Sequence, residues 1–277
     1  MIIKKNNFII FFAILSNIIF SQNKYTILDS LTNEKIAFAN IWKDNKIFSN
    51  SDKDGIFSIE NIDKNSKYKV SCLGYKTKNI DLSQKEILLN NDIINLNEIV
   101  ISNKKSNKKI KLGSIKNKDI LVAANYNDKI AEIGKVFIPK DTTCLFLKEI
   151  KFNTFSLLQN ATVKLNIYSL DVNMMPLQLI TTESLICEVK KGNIKSEINI
   201  EPNLLIVPKH GFMISIQILL LEENKNYREY NKNIYQYEPS LWVKKNSPND
   251  YTLNLSEYNS WKKIPNTDLN IEITLTN

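Results

Sequence analysis

The sequence predicts an all-β chain built as two consecutive sandwiches, and three observations carry that expectation. From Tyr25 onwards short apolar/polar alternations dominate, as in Val163, Leu165 and Ile167 set between Thr162, Lys164 and Asn166. No stretch of ten or more residues repeats apolar positions at helical spacing. A lysine-rich, almost apolar-free run, Asn103 to Lys111, separates two strand-rich regions.

Each element follows in chain order. Lys4 and Lys5 precede an apolar run from Phe8 to Phe20, and Ser21 offers a small residue at a cleavage point before Gln22. That pattern reads as a secretory signal peptide over residues 1–21. Its thirteen apolar-dominated residues fall short of the roughly 20 that span a bilayer as a helix. No later run is long enough either, so no transmembrane span is expected in the mature chain, whose localisation is exported: periplasm, outer-membrane-associated or cell surface.

Residues 22–92 read as a first sandwich. Ala37, Ala39 and Ile41 alternate along an expected strand. Asp52 to Gly55, DKDG, is a turn signature: Asp bonds its own backbone and Gly takes positive φ. Gly74 before Tyr75 marks a bulge or tight bend. Asn50, Asp52, Asp54 and Gly55 also occupy positions one, three, five and six of a calcium loop, but position twelve is Asn61 and the flanks alternate like strands. A β-turn is the expected outcome.

The segments ILDSLTNEKIAFANIW, SNSDKDGIFSIEN, YKVSCLGYKTKNIDL and ILLN, in that order, resemble the carboxypeptidase regulatory-like domain found at the start of Bacteroidetes envelope proteins. LNEIVIS, Leu96 to Ser102, resembles the tail that follows this domain in outer-membrane receptors. The resemblance implies a transthyretin-like fold of about seven strands in two sheets and no catalytic residues.

Residues 93–113 read as a Lys/Asn-rich linker, exposed because its like charges repel and it has nothing to bury. Residues 114–277 form the second region. Phe212, Ile214, Ile216 and Ile218 alternate, as do Leu269, Ile271, Ile273 and Leu275, and such strands bury one face and wet the other. AEIGKVFIPKD, LKEIKFNT, VKLNIYSLD and INIEPNLLIVPKHGFMISIQIL are similar to the second half of uncharacterised Bacteroidetes proteins. That similarity implies a jelly-roll-like antiparallel sandwich and no known activity.

With 43% hydrophobic and 24% charged residues, the 277-residue chain is globular. Its net charge of +8 falls to +6 once Met1 to Ser21, with two lysines and no acid, is removed. Arg228 is the sole arginine. Nucleic-acid binders exploit arginine for bidentate contacts, so no nucleic-acid partner is expected. Cys72, Cys144 and Cys187 lack metal spacing. Cys144 and Cys187 pair in an oxidising compartment, or all three are small buried apolar residues.

No catalytic residue, metal site or cofactor is expected. His210 is the only histidine, in a turn-like PKHG, and no G-x-S-x-G or Gly-rich phosphate loop occurs. Glu222 and Glu223 read as a solvated loop. The richest functional signal is aromatic: Tyr227, Tyr230, Tyr235, Tyr237, Trp242, Tyr251, Tyr258 and Trp261. Tyr235, Tyr237, Trp242 and Trp261 are the candidate ligand-binding residues, since exposed rings stack on sugars or clasp a partner. The competing assignment puts Trp242 and Trp261 in the core. The expected function is a non-catalytic envelope accessory module that binds or scaffolds a protein or glycan. A glycan hydrolase with two facing acids in the second region, or a structural spacer, are the alternatives.

Overall fold

The computed structural model describes residues 23–92, 108–115, 121–124, 132–203, 205–228, 231–255 and 260–277. The signal peptide, the Leu96–Ser102 tail, Tyr230 and Tyr258 lie outside these described residues. Among them there is no α-helix, and the chain is all-β as expected.

The first unit runs through β1 (Asn23–Asp29), β2 (Asn40–Lys43), β3 (Lys46–Asn50), β4 (Ile56–Ile59), β5 (Tyr68–Ser71), β6 (Lys78–Asn79) and β7 (Glu86–Leu89). Its two sheets have the orders β4-β1-β7 and β3-β2-β5-β6, with β1 and β7 parallel and the other pairs antiparallel. Alternate residues of both sheets meet in one core: Tyr25 and Ile27 from β1, Ile41 from β2, Phe57 and Ile59 from β4, Val70 from β5. Ala39 joins this core just before β2 begins, whereas Ala37 is only half-buried and outside any strand. Asp44 and Asn45, both at positive φ, close the β2–β3 hairpin, where the twist of the strands favours that mirror-image turn.

The DKDG segment is a turn, but it joins strands of different sheets. Asp52 Oδ1 accepts hydrogen bonds from the backbone N–H groups of Asp54 and Ile56, both at 2.9 Å. Gly55 at φ +70° is packed so closely that a Cβ would lie 3.0 Å from the Ile27 carbonyl oxygen, and only glycine fits there. Gly74, at φ +83°, makes the expected bend.

The second unit comprises β8 (Lys109–Gly113), β9 (Leu121–Ala124), β10 (Glu132–Phe137), β11 (Phe146–Leu170), β12 (Pro176–Leu179), β13 (Leu185–Asn199), β14 (Phe212–Ile218), β15 (Lys225–Arg228), β16 (Asn231–Tyr237), β17 (Ser240–Lys245), β18 (Tyr251–Leu255), β19 (Trp261–Pro265), β20 (Thr267–Leu269) and β21 (Ile271–Thr276). Strand β11, 25 residues long, organises it. The first part of β11 pairs with β21 and the last part with β14, while β13 follows its other side through a register slip between Ser156 and Asn160. The strand thereby belongs to two sheet faces that enclose one apolar core, including Ile150, Phe152, Leu165, Ile167, Ile214 and Ile273. Among the described residues no strand pairs with the outer edge of β13, along which Lys190, Lys191 and Lys195 are exposed.

Two expectations need correction. Lys109–Gly113, assigned to the linker, is strand β8 on the edge of β21, because KIKL itself alternates: Ile110 and Leu112 pack on the core while Lys111 reaches Glu272 at 2.9 Å. The expectation of wet polar faces also fails locally. Every residue of β14 is buried, and so are Lys164 and Asn166 on β11, because the first unit covers that face.

Candidate functional site

The covered face is assembled by register. Glu132 on β10 lies opposite Gln217 on β14, which lies opposite Lys164 on β11. The next row on the same face is Gly134, Ser215 and Asn166. The alternate residues Ile133, Ile214, Ile216, Val163, Leu165 and Ile167 turn to the core, so one sheet presents an apolar face and a polar one.

Glu132 is the hub of the polar face. Its Oε1 accepts hydrogen bonds from Asn166 Nδ2 at 2.9 Å, from Tyr168 OH at 3.2 Å and from Ser215 Oγ. Burial pushes its carboxyl up from the ordinary range, while those three donors and the charge of Lys164 act in the opposite sense. Lys164, 6% exposed, is pushed down by the same burial, with Cys72 and Glu132 opposing the shift. Its Nζ donates to the Phe38 carbonyl oxygen of the first unit at 3.2 Å. Phe38 sits at φ +55°, an uncommon place for a bulky residue.

Three more contacts fasten the units together. Gln217 Nε2 donates to Asn40 Oδ1 at 2.9 Å, and Asn40 Oδ1 also accepts from Asn50 Nδ2 at 2.7 Å. Asn50 Oδ1 accepts the Leu220 N–H at 2.8 Å, and the Asn50 N–H donates to the Leu220 carbonyl at 3.4 Å. Trp42, Ile47 and Leu220 form a small apolar cluster across the same seam. Asn50, position one of the would-be calcium loop, is thus spent on the seam.

Beside the seam the units leave a cleft of about 400 Å³. Trp42, Cys72 and Tyr75 of the first unit and Glu132, Lys164 and Tyr168 of the second are among its lining residues. Burial first, then the hydrogen bond to Asp29, drives the Tyr75 hydroxyl up to about 12. Burial likewise raises the Tyr168 hydroxyl and the Cys72 thiol. These groups therefore enter neutral chemistry near pH 7 as hydrogen-bonding surfaces.

The four sequence candidates do not meet in one site. Tyr235 is 43% exposed on β16, where Tyr227 and Tyr237 flank it edge-on at centroid distances of 5.5 and 5.4 Å and Lys225 Nζ lies 4.5 Å above its ring. Tyr237 packs against the main core and against the seam cluster. Trp242 is half-buried and its Nε1 donates to Asn193 Oδ1 at 2.9 Å. Trp261, also half-buried, meets Tyr168 edge-on at 5.6 Å and so stands behind the cleft. Neither tryptophan is a core residue and neither is fully exposed.

His210 is in an exposed turn, and Glu222 is engaged by Lys225 and Tyr227. All three cysteines are free: Cys144 and Cys187 lie in the second core, and Cys72 packs on the first. Among the described residues no three His, Cys, Asp or Glu side chains are grouped as a metal ion requires, and no helix is long and apolar enough to cross a membrane. The residues that sequence reasoning missed, Glu132, Lys164, Asn166, Ser215 and Gln217, were visible only as the polar phase of strands expected to face water.

Residues 26–101 match the family model of the CarboxypepD_reg-like domain, so the first unit is a module of that kind. The match runs to residue 101, beyond the boundary at 92 drawn from sequence. No curated protein matches the chain. Two structures of the cysteine protease Cwp84, a surface-layer-associated protein of Clostridium difficile, are 12% identical at a TM-score of 0.38, covering 61% of this chain and 40% and 36% of theirs. The chain thus spans well under half of the protease structures. A structure of infectious bursal disease virus, Gx strain, is 9% identical at a TM-score of 0.28, covering 86% of this chain and 60% of that one. Likeness this slight informs neither fold nor function.

Proposed function

We propose that the protein is an exported accessory module of a Bacteroidetes-type cell envelope that binds or scaffolds a protein or glycan partner, without catalysis, through the cleft between its two units. The observation that carries this reading is the composite lining of that cleft: neither unit alone forms it, and its floor is a preorganised polar face. Cavities of this size, largely pre-formed and with a few convergent polar groups, are the usual form of ligand sites. Register sets Lys164 on the same face as Glu132, and the cleft's other acid, Asp92, comes from the end of the first unit; among the described residues no hydrogen bond joins the two acids, so the lining supports binding over the paired-carboxylate hydrolysis that needs two facing acids. The regulatory-like module and the charged, apolar start of the chain support export and an envelope role.

The test is co-sedimentation of the protein with isolated cell envelopes. Ser184 is half-buried and lines the cleft, so a tryptophan placed there should obstruct it. Wild type should sediment and Ser184→Trp should stay in the supernatant; equal retention of the two would remove the cleft from the function. N-terminal sequencing of the exported protein should begin near Gln22, and an intact Met1 in the cytoplasm would end the export part of the proposal.

A further inference from the structure

We infer that the cleft takes a neutral saccharide, whose hydroxyl groups bridge Glu132 and Lys164. This rests on the cleft being the binding site and adds the chemistry of what it holds. The hydrogen bonds of Glu132 all fall on Oε1, so among the described residues Oε2 accepts none. Lys164 Nζ carries three N–H bonds in its ammonium form and spends one, on the Phe38 carbonyl. Gln217, between the two in register, is buried with its Oε1 unpartnered. Glu132 and Lys164 both line the cleft, so its wall offers a carboxylate oxygen that no described residue engages and amine hydrogens left over from the Phe38 contact, while Gln217 lies buried between their strands, outside the lining.

The ligand that completes such a wall must donate to one group and accept from the other. A hydroxyl does both, and neighbouring hydroxyls on a sugar ring do so in pairs. A net anion would be drawn to Lys164 but set against Glu132 and Asp92, and a net cation would be set against Lys164; a neutral polyol donates to the carboxylates and accepts from the amine without adding a buried charge. The remaining lining fits the same class. Tyr75 and Tyr168 supply aromatic rings for the C–H faces of a sugar, and Gln178, exposed at the rim, supplies an amide for its outer hydroxyls. The volume, about 400 Å³, suits a short saccharide and lies within the roughly 300–1,000 Å³ of small-ligand sites.

The experiment is an array of neutral oligosaccharides (glucans, mannans, galactans, xylans and N-acetyllactosamine) probed with the full chain, followed by calorimetric titration of the best binder, with galacturonic acid oligomers and a tripeptide panel as comparators. Neutral oligosaccharides should bind, with affinity falling at least tenfold in both Lys164→Met and Glu132→Gln and lost in Ser184→Trp. Ser184→Trp leaves the buried polar face intact, so it decides the matter even where a floor variant fails to fold. Peptides binding in place of saccharides, blocked by Ser184→Trp, would overturn the ligand class and leave the cleft reading standing. Saccharide binding that none of the three variants weakens would overturn both. No neutral saccharide bound at millimolar concentration would overturn the inference.

Discussion

The sheet formed by β10, β14 and β11 is buried on both faces, yet the two faces are built from opposite chemistry. On the inner face Ile133, Ile214, Ile216, Leu165 and Ile167 pack against the second core. On the outer face Glu132, Lys164, Asn166, Ser215 and Gln217 are as deeply buried, each at 7% exposure or less, beneath the regulatory-like module. Burial alone does not distinguish them. The inner face gains stability in proportion to apolar area removed from water. The outer face must satisfy its polar groups by hydrogen bonds, at little net gain, and leaves Gln217 Oε1 buried without a partner.

Substitutions on the two faces should therefore differ in size and in kind. The largest effect is expected on the inner face: Ile216→Ala should cost about 2–5 kcal/mol in denaturant unfolding through lost burial and a residual cavity. A cost under 1 kcal/mol would mean the core is looser than its burial indicates. Asn50→Ala comes next, at about 1–3 kcal/mol, because it strands the Leu220 N–H at the seam. The same variant should change limited trypsin digestion. Wild-type fragments cut within Lys104 to Lys108 should co-elute on native gel filtration, held by the seam, and those of Asn50→Ala should separate.

Trp242→Ala and Trp261→Ala should each cost about 1–2 kcal/mol, between the surface and core extremes, because each ring is half-buried with one specific partner. Melts showing the full core penalty would move these rings into the interior. Lys164→Met should be the mildest, within about 1 kcal/mol at neutral pH, since an apolar chain of similar length replaces an amine whose burial is itself unfavourable. Its signature is in pH. Burial lowers the folded pKa of Lys164 below the unfolded value of 10.5, so between the two the unfolded chain holds the proton and the folded chain does not. Stability from this residue is lost as pH falls through the folded pKa and is regained as pH rises toward 10.5. Wild type should gain on Lys164→Met over that interval; because Glu132 and Cys72 feel the charge of Lys164 and lose it in the variant, the same comparison is repeated in a Glu132→Gln, Cys72→Ala background, where the gain should persist. A flat difference across pH would show Lys164 to be solvated.

The comparison also explains what the sequence revealed. The alternation of Phe212, Ile214, Ile216 and Ile218 located β14 and its inner face, because period 2 is a property of the strand itself. The other phase, Met213, Ser215 and Gln217, was equally visible, but whether water or another unit lies over it depends on contacts more than a hundred residues away, such as Gln217 to Asn40. Glu132 and Lys164 lie 32 positions apart and become neighbours only through β14, so no local motif announces them. The aromatic density that drew attention is real, yet the fold distributes it: Tyr235 sits on the β15–β16 hairpin and Trp261 behind Tyr168. In KIKLG the density of lysine masked a strand whose apolar phase is only Ile110 and Leu112.

The open edge of β13 bears on solubility. An unpaired strand offers its N–H and C=O groups to any other chain that arrives in extended form, and long edges of this sort seed fibres. Here Lys190, Lys191 and Lys195 stand exposed around Gly192, whose φ of +98° breaks the regular twist. Lys190 is paired with Glu188 and Glu197 with Lys151, which leaves Lys191 and Lys195 as the charges that two copies approaching edge to edge bring together along a bent ribbon. Those lysines thus act as a colloidal guard at this edge, and the protein should be easier to concentrate at low ionic strength than in salt that screens their charges.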